Sequence, residues 1–311
     1  MKTPPTSPPW MPRALLAAAL CNVVLGGWIV LWPDAAFAIA GVAAPNYPPL
    51  WQSLGVIAAV FGLGYAISAA NPARHWPIVL LGLIAKILAP ASIAHALWTG
   101  ALPWTIAWMC AALDLVWWAP FAIILRHAWE TFRNEGTADA PSEAAALRET
   151  HTSRDSSLTM LSFEKPVLLV MLRHAGCTFC RNAMADISRL RPRIESTGAE
   201  IVLGHMGTAS EFTTFAQRYG LGEVAAVADP ERRLYLGLGL KRGTFMQLFG
   251  PRVWWRGAKA IFSGHGAGKV RGDATQMPGA FLIHEGRVLR RFEHQDASDK
   301  PDYVGLATLP R

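Results

Sequence analysis

The chain has 311 residues, is 52% hydrophobic but only 16% charged, holds 13 tryptophans and carries a formal net charge of +7. That length suggests about two domains of ~150 residues. The composition excludes a protein that is soluble throughout, and the basic balance comes with no nucleic-acid-binding motif, so no nucleic-acid partner is expected.

The apolar excess lies at the front. Between residues 1 and 126 the formal charges are Lys2, Arg13, Asp34, Arg74, Lys86, Asp114 and Arg126 alone. Four apolar runs, Ala14–Trp32, Leu50–Ala70, Ile78–Trp98 and Pro103–Leu125, interrupt this stretch. Each is close to the ~20 residues that a helix needs to cross a ~30 Å hydrocarbon core. The first run is too long for the apolar core of a signal peptide, which is about 7–15 residues, and "WIVLWPD" suits a helix leaving the bilayer through an aromatic interface. The sequence therefore predicts an all-α transmembrane four-helix bundle over residues 1–133, in contact with the lipid bilayer.

Lysine and arginine in the short loops set the orientation. With the N-terminus inside, Lys2, Arg13, Arg74, Arg126 and Arg133 fall inside, and the outer loops 33–49 and 99–102 hold none. Four spans return the chain to the same side, so both termini and the C-terminal domain are expected on the cytoplasmic face of the cell's inner membrane. Structural disulfides are not maintained there.

Lys86 and Asp114 lie inside the third and fourth runs, where an ionisable group needs a partner or a cavity. Their depths differ by roughly 6 Å at ~1.5 Å per residue, within reach of a lysine. An ion pair between neighbouring helices is one reading; a small-molecule, quinone or proton site is the other. Cys21 and Cys110 differ in depth by about 14 Å, beyond the ~7 Å between the Cα atoms of a disulfide. They read as small apolar fillers.

Residues 134–160 are polar and rich in small side chains, which predicts a flexible linker with a short helix at 143–149. The domain over 161–311 alternates strand and helix. "KPVLLVML" reads as a buried strand, and "RNAMADISRLRPRIEST" has helical spacing and stops near Gly198. "AEIVLGHM" reads as a second, parallel strand, and "SEFTTFAQRYG" as a helix with Ser210 as cap. "EVAAVADP" and the hairpin "GAFLIHEGRVLRRF", turning at Glu285-Gly286, complete an α/β domain with a mixed sheet flanked by helices.

Cys177 and Cys180, the two cysteines of this domain, form a C-x-x-C at the junction of the first strand and first helix. A zinc site needs four ligands, and the remaining histidines lack that spacing. A C-x-x-C between strand and helix fits a thioredoxin-like redox motif. Cys177, at the helix N-terminus, is expected to be an exposed, activated thiolate, and Cys180 the shielded resolving thiol. Arg173 and His174 stand close enough to tune the thiolate or orient the substrate. No metal or other cofactor is expected. "GHGAGKV" lacks the phosphate-loop spacing, and its glycines 264, 266 and 268 suggest a flexible turn. "RVWWRGAKA" either lies on a membrane surface or packs into the domain.

The segments "PVLLVMLRHAGCTFCRNAMADI", "DPERRLYLGLGLKRGTFMQLFGPRVWWRG", "GHGAGK…GDATQMPGAFLI" and "ASDKPDY" resemble the selenoprotein-L-related, peroxiredoxin-like redox proteins of the AhpC/TSA group. The resemblance implies a thioredoxin-like fold and thiol-based redox activity at Cys177 and Cys180. It also implies a cis-proline at Pro278, facing the cysteines. Ordinary peroxiredoxins carry Thr or Ser three residues before the reactive cysteine, whereas this chain has His174. The expected function is thus a membrane-anchored thiol oxidoreductase and antioxidant that reduces a peroxide or a disulfide and is re-reduced by a thioredoxin- or glutathione-type partner. The alternative is a non-catalytic redox sensor signalling through a Cys177–Cys180 disulfide.

Overall fold

The computed structural model describes residues 7–100, 104, 113–173, 177–262 and 272–310. By its internal contacts the chain divides into a first unit, Met1–Phe132, and a second, Arg133–Arg311.

In the first unit, α1 (Trp10–Leu31), α3 (Pro48–Ala70) and α4 (Trp76–Trp98) are long helices; α2 (Ala35–Ala40) is one short turn and α5 covers Trp118–Arg133. Prolines open α3 and α4 at the first helical positions, where their missing N–H costs nothing. Glycines let α1 and α3 approach closely. A Cβ on Gly26 would stand 2.3 Å from the Gly55 carbonyl oxygen, and one on Gly62 2.8 Å from that of Ala19. Among the described residues three helices, α1, α3 and α4, are long and apolar enough to cross a membrane. The fourth expected span, 103–125, falls partly outside the described residues. Its described part is not one continuous span: residues 116 and 117 form a turn before α5, which carries Arg126, Glu130 and Arg133.

The expected partner of Lys86 is present. Its Nζ donates to Asp114 Oδ1 at 3.1 Å and to Asn22 Oδ1 at 3.4 Å, and the Trp118 indole donates to the Lys86 carbonyl at 2.8 Å. Cys21 is a half-buried free thiol; Cys110 lies outside the described residues.

The second unit is built on a five-stranded sheet in the order β3-β2-β1-β4-β5. Its strands are β1 (Val167–Met171), β2 (Glu200–His205), β3 (Ala225–Ala228), β4 (Gly279–His284) and β5 (Arg287–Glu293). β1 pairs parallel with β2 and antiparallel with β4, so the sheet is mixed. Every residue of β1 is buried, as a central strand covered on both faces requires. The β4–β5 hairpin turns at Glu285 and Gly286, both at positive φ, which is the backbone of a two-residue primed turn. Ser162 staples that turn: its Oγ accepts from Gly286 N–H at 2.9 Å and its carbonyl from Glu285 N–H at 3.0 Å.

Along the chain follow α6 (Glu143–Glu149), α7 (Leu158–Glu164), α8 (Thr178–Glu195), α9 (Ala209–Gln217), α10 (Arg233–Gly237), α11 (Phe245–Phe249), α12 (Pro251–Phe262) and α13 (Tyr303–Ala307). One apolar cluster lies against α8, α9 and α13, and a second gathers α6, α7 and α10 against the same sheet.

The segment expected as a linker over 134–160 is built into this unit. The short helix predicted at 143–149 is α6, capped by Ser142, and its Ala146 and Leu147 are buried in the second cluster. Small alanines read as solvent-tolerant in sequence, but here they let the helix lie close, with Ala146 against Gly237. Thr208, not Ser210, caps α9 by accepting from the Glu211 N–H. The β-region backbone that a cap requires falls two residues earlier than expected.

Candidate active site

β1 delivers the chain to the site and α8 leaves from it. Cys177 is the N-cap of α8, with extended backbone, and its carbonyl accepts the helix bond from Arg181 N–H at 3.1 Å. Its thiol therefore sits where unpaired N–H groups and the helix dipole favour negative charge. Cys180 lies in the first turn, and its Sγ accepts from the Arg173 backbone N–H at 3.3 Å.

Arg173 is buried and crosses the site. Its Nη1 donates to Cys177 Sγ at 3.8 Å, and its Nη2 donates to the Ala274 carbonyl. The Cys177 thiol is pulled down to about 6. A hydrogen bond from Cys180 is the main cause, burial opposes it, and the Arg173 charge and the N–H groups of Cys180 and Phe179 reinforce it. At neutral pH Cys177 is a thiolate, the species that attacks sulfur or peroxide oxygen.

The structure brings together Arg173, Cys177, Cys180 and Pro278 among the residues singled out in sequence. His174 lies outside the described residues, as does the glycine-rich turn at 264–268. Two expectations change. Cys177 is 6% exposed and Cys180 4%, so the thiol expected to be exposed is not open to solvent. Cys177 packs into the apolar cluster under α8, with the Arg173 guanidinium at its sulfur. Pro278 is buried where β4 begins, but the described residues contain no cis peptide bond. The Met277–Pro278 bond is trans, the ordinary state of an X–Pro bond.

A narrow cleft reaches Cys180 rather than Cys177. Its walls include Arg173, Pro278, His294, Asp299 and Lys300. Sequence reasoning gave no role to the last three. His294 follows β5, and its Nδ1 is buried with no hydrogen-bond partner among the described residues. Burial, opposed chiefly by the Asp299 charge, lowers its pKa to about 4, so the ring is neutral. The polar string "EHQDASDK" immediately after a strand was the available signal. Asp299 accepts from the N–H groups of Gln295 and Asp296, which folds that string back on itself. Among the described residues no group of three His, Cys, Asp or Glu side chains is placed to hold a metal.

A mixed sheet whose central strand leads to a helix with the first cysteine of a C-x-x-C as its N-cap residue is a thioredoxin-like fold. Comparison with known proteins agrees. A family model described as AhpC/TSA antioxidant enzyme matches residues 186–298. Prostamide/prostaglandin F synthase of Salmo salar is 30% identical over 157 residues, which are 48% of this chain and 74% of that protein. The protein of the same name in Danio rerio is 27% identical over 164 residues, 51% of this chain and 80% of that one. Peroxiredoxin-like 2A of Mus musculus is 25% identical over 129 residues, 42% of this chain and 57% of that protein. Through its second unit, the chain belongs to the peroxiredoxin-like AhpC/TSA antioxidant enzyme family. The family match begins at Asp186, beyond both cysteines, so it does not reach their role.

Proposed function

We propose that the chain is a membrane-anchored thiol oxidoreductase that works through Cys177 and Cys180. The observation that carries this reading is the Cys177 sulfur at a helix N-cap, 3.8 Å from a guanidinium nitrogen and lowered to about 6. With a peroxide, the Cys177 thiolate attacks one oxygen, the O–O bond breaks, and the alkoxide or hydroxide leaves with a proton. Cys177 is then a sulfenic acid. Cys180 attacks that sulfur, water leaves, and a Cys177–Cys180 disulfide remains. With a disulfide substrate, Cys177 displaces one thiolate, and Cys180 displaces the other from the mixed disulfide. In both cases two electrons pass from the dithiol to the substrate, and an external dithiol or glutathione-type thiol returns them.

The three apolar helices of the first unit support anchoring in a bilayer, and the lysine and arginine asymmetry of its loops supports a cytoplasmic redox unit at the inner membrane. The full chain, supplied in lipid with a peroxide or a protein disulfide and a thioredoxin system, is expected to turn over repeatedly. Cys177→Ser is expected to reduce that rate to background, and Cys180→Ser to stop it after one oxidation. Sustained turnover in Cys177→Ser would remove Cys177 from the mechanism.

A further inference from the structure

The two short helices after α10 leave an apolar face uncovered. In α11, Leu248 turns inward while Phe245, Met246 and Phe249 stay exposed, with the two phenylalanine rings 5.4 Å apart. In α12, Val253 is buried and Gly257 faces Phe179 of α8, so one side of the helix packs inward. Trp254 and Trp255 lie off that side and are 72% and 78% exposed. Five large apolar side chains thus stand in water within eleven residues. A soluble surface rarely leaves such a group uncovered unless something binds it.

The chemistry around the face selects the partner. Arg252 and Lys259 are exposed on α12, three residues before and four after Trp255, on the same side of the helix. Tryptophans flanked by basic side chains on an amphipathic helix match the acyl–headgroup boundary of an anionic bilayer: indoles settle at the interface and cations meet lipid phosphates. Among the described residues, the same chain carries three helices apolar enough to cross a membrane, so a bilayer is at hand. We propose that the face made by Phe245, Met246, Phe249, Trp254 and Trp255 docks the redox unit onto the surface of an anionic lipid bilayer.

Docking would bear on the site through contacts already in place. Arg256 of the same helix donates to Asp299 Oδ1 at 3.1 Å and to Ser298 Oγ at 3.2 Å, and both residues line the cleft that reaches Cys180.

The test is site-specific photocrosslinking in the full chain, reconstituted in vesicles of mixed zwitterionic and anionic phospholipid. Benzoylphenylalanine replaces Trp255 in one variant and Leu289, an exposed apolar residue of β5, in the other. Because both positions are exposed, neither variant is expected to disturb folding. Lipid adducts at position 255 are expected to exceed those at 289 by roughly fivefold or more. Equal yields at the two positions, or adducts at 255 formed with protein instead of lipid, would overturn the proposal.

Discussion

The two units handle polarity in opposite ways. The first turns apolar side chains outward, with Leu20, Val24, Val60 and Leu88 all exposed along its helices, and keeps the Lys86–Asp114 ion pair largely buried. The second buries Val167, Leu169, Phe281 and Ile283 in its sheet and sets the buried Arg173 against its two cysteines. A buried charge thus does different things in the two settings. In the first unit it is neutralised by a partner and joins elements of the unit. In the second it is aimed at a thiol whose proton it helps to remove.

Removing Lys86 tests the structural half of this contrast and carries the largest expected effect on stability. Lys86→Met leaves Asp114 buried and unpaired, at a cost of about 3–5 kcal/mol. Thermal unfolding of the full chain in lipid is expected to show that loss in the first unit. The double change Lys86→Met with Asp114→Leu is expected to recover most of it. If the second unit is independent, alkylation of Cys177 in Lys86→Met keeps its wild-type rate. A strongly altered rate would mean that the two units share more than a chain.

Ser162→Ala probes the second unit on its own terms. It strands the Gly286 N–H at the hairpin turn, at a cost of about 1–3 kcal/mol. Proteolysis of the full chain is expected to open the β4–β5 hairpin first and to leave the first unit as resistant as before. Equal loss in both units would contradict the division.

Much of the second unit is legible in sequence because its signals are local. Apolar runs bounded by polar residues mark β1 and β2, Glu285-Gly286 marks the hairpin, and the C-x-x-C marks the strand-to-helix elbow. What escapes depends on partners distant in the chain. Ala146 and Leu147 look like part of a polar linker until β-sheet residues cover them. Arg173, just past β1, reaches both Cys177 and the Ala274 carbonyl 101 residues later. His294, Asp299 and Lys300 join the cleft only because β5 pairs beside β4. In the first unit, among the described residues, the apolar runs reveal three long helices, and the described end of the fourth run has a turn at 116–117 that hydropathy alone does not show.

The central claim is that the fold activates Cys177. Its most direct test is the rate of iodoacetamide alkylation at Cys177 in the reduced full chain, followed peptide by peptide by mass spectrometry across pH. A thiol lowered to about 6 is mostly thiolate at pH 7, and its rate is expected to fall only as pH drops through that value. Arg173→Met is expected to move the midpoint upward, toward the ~8.5 of an ordinary cysteine. A wild-type midpoint already near ~8.5, unchanged by Arg173→Met, would contradict the account.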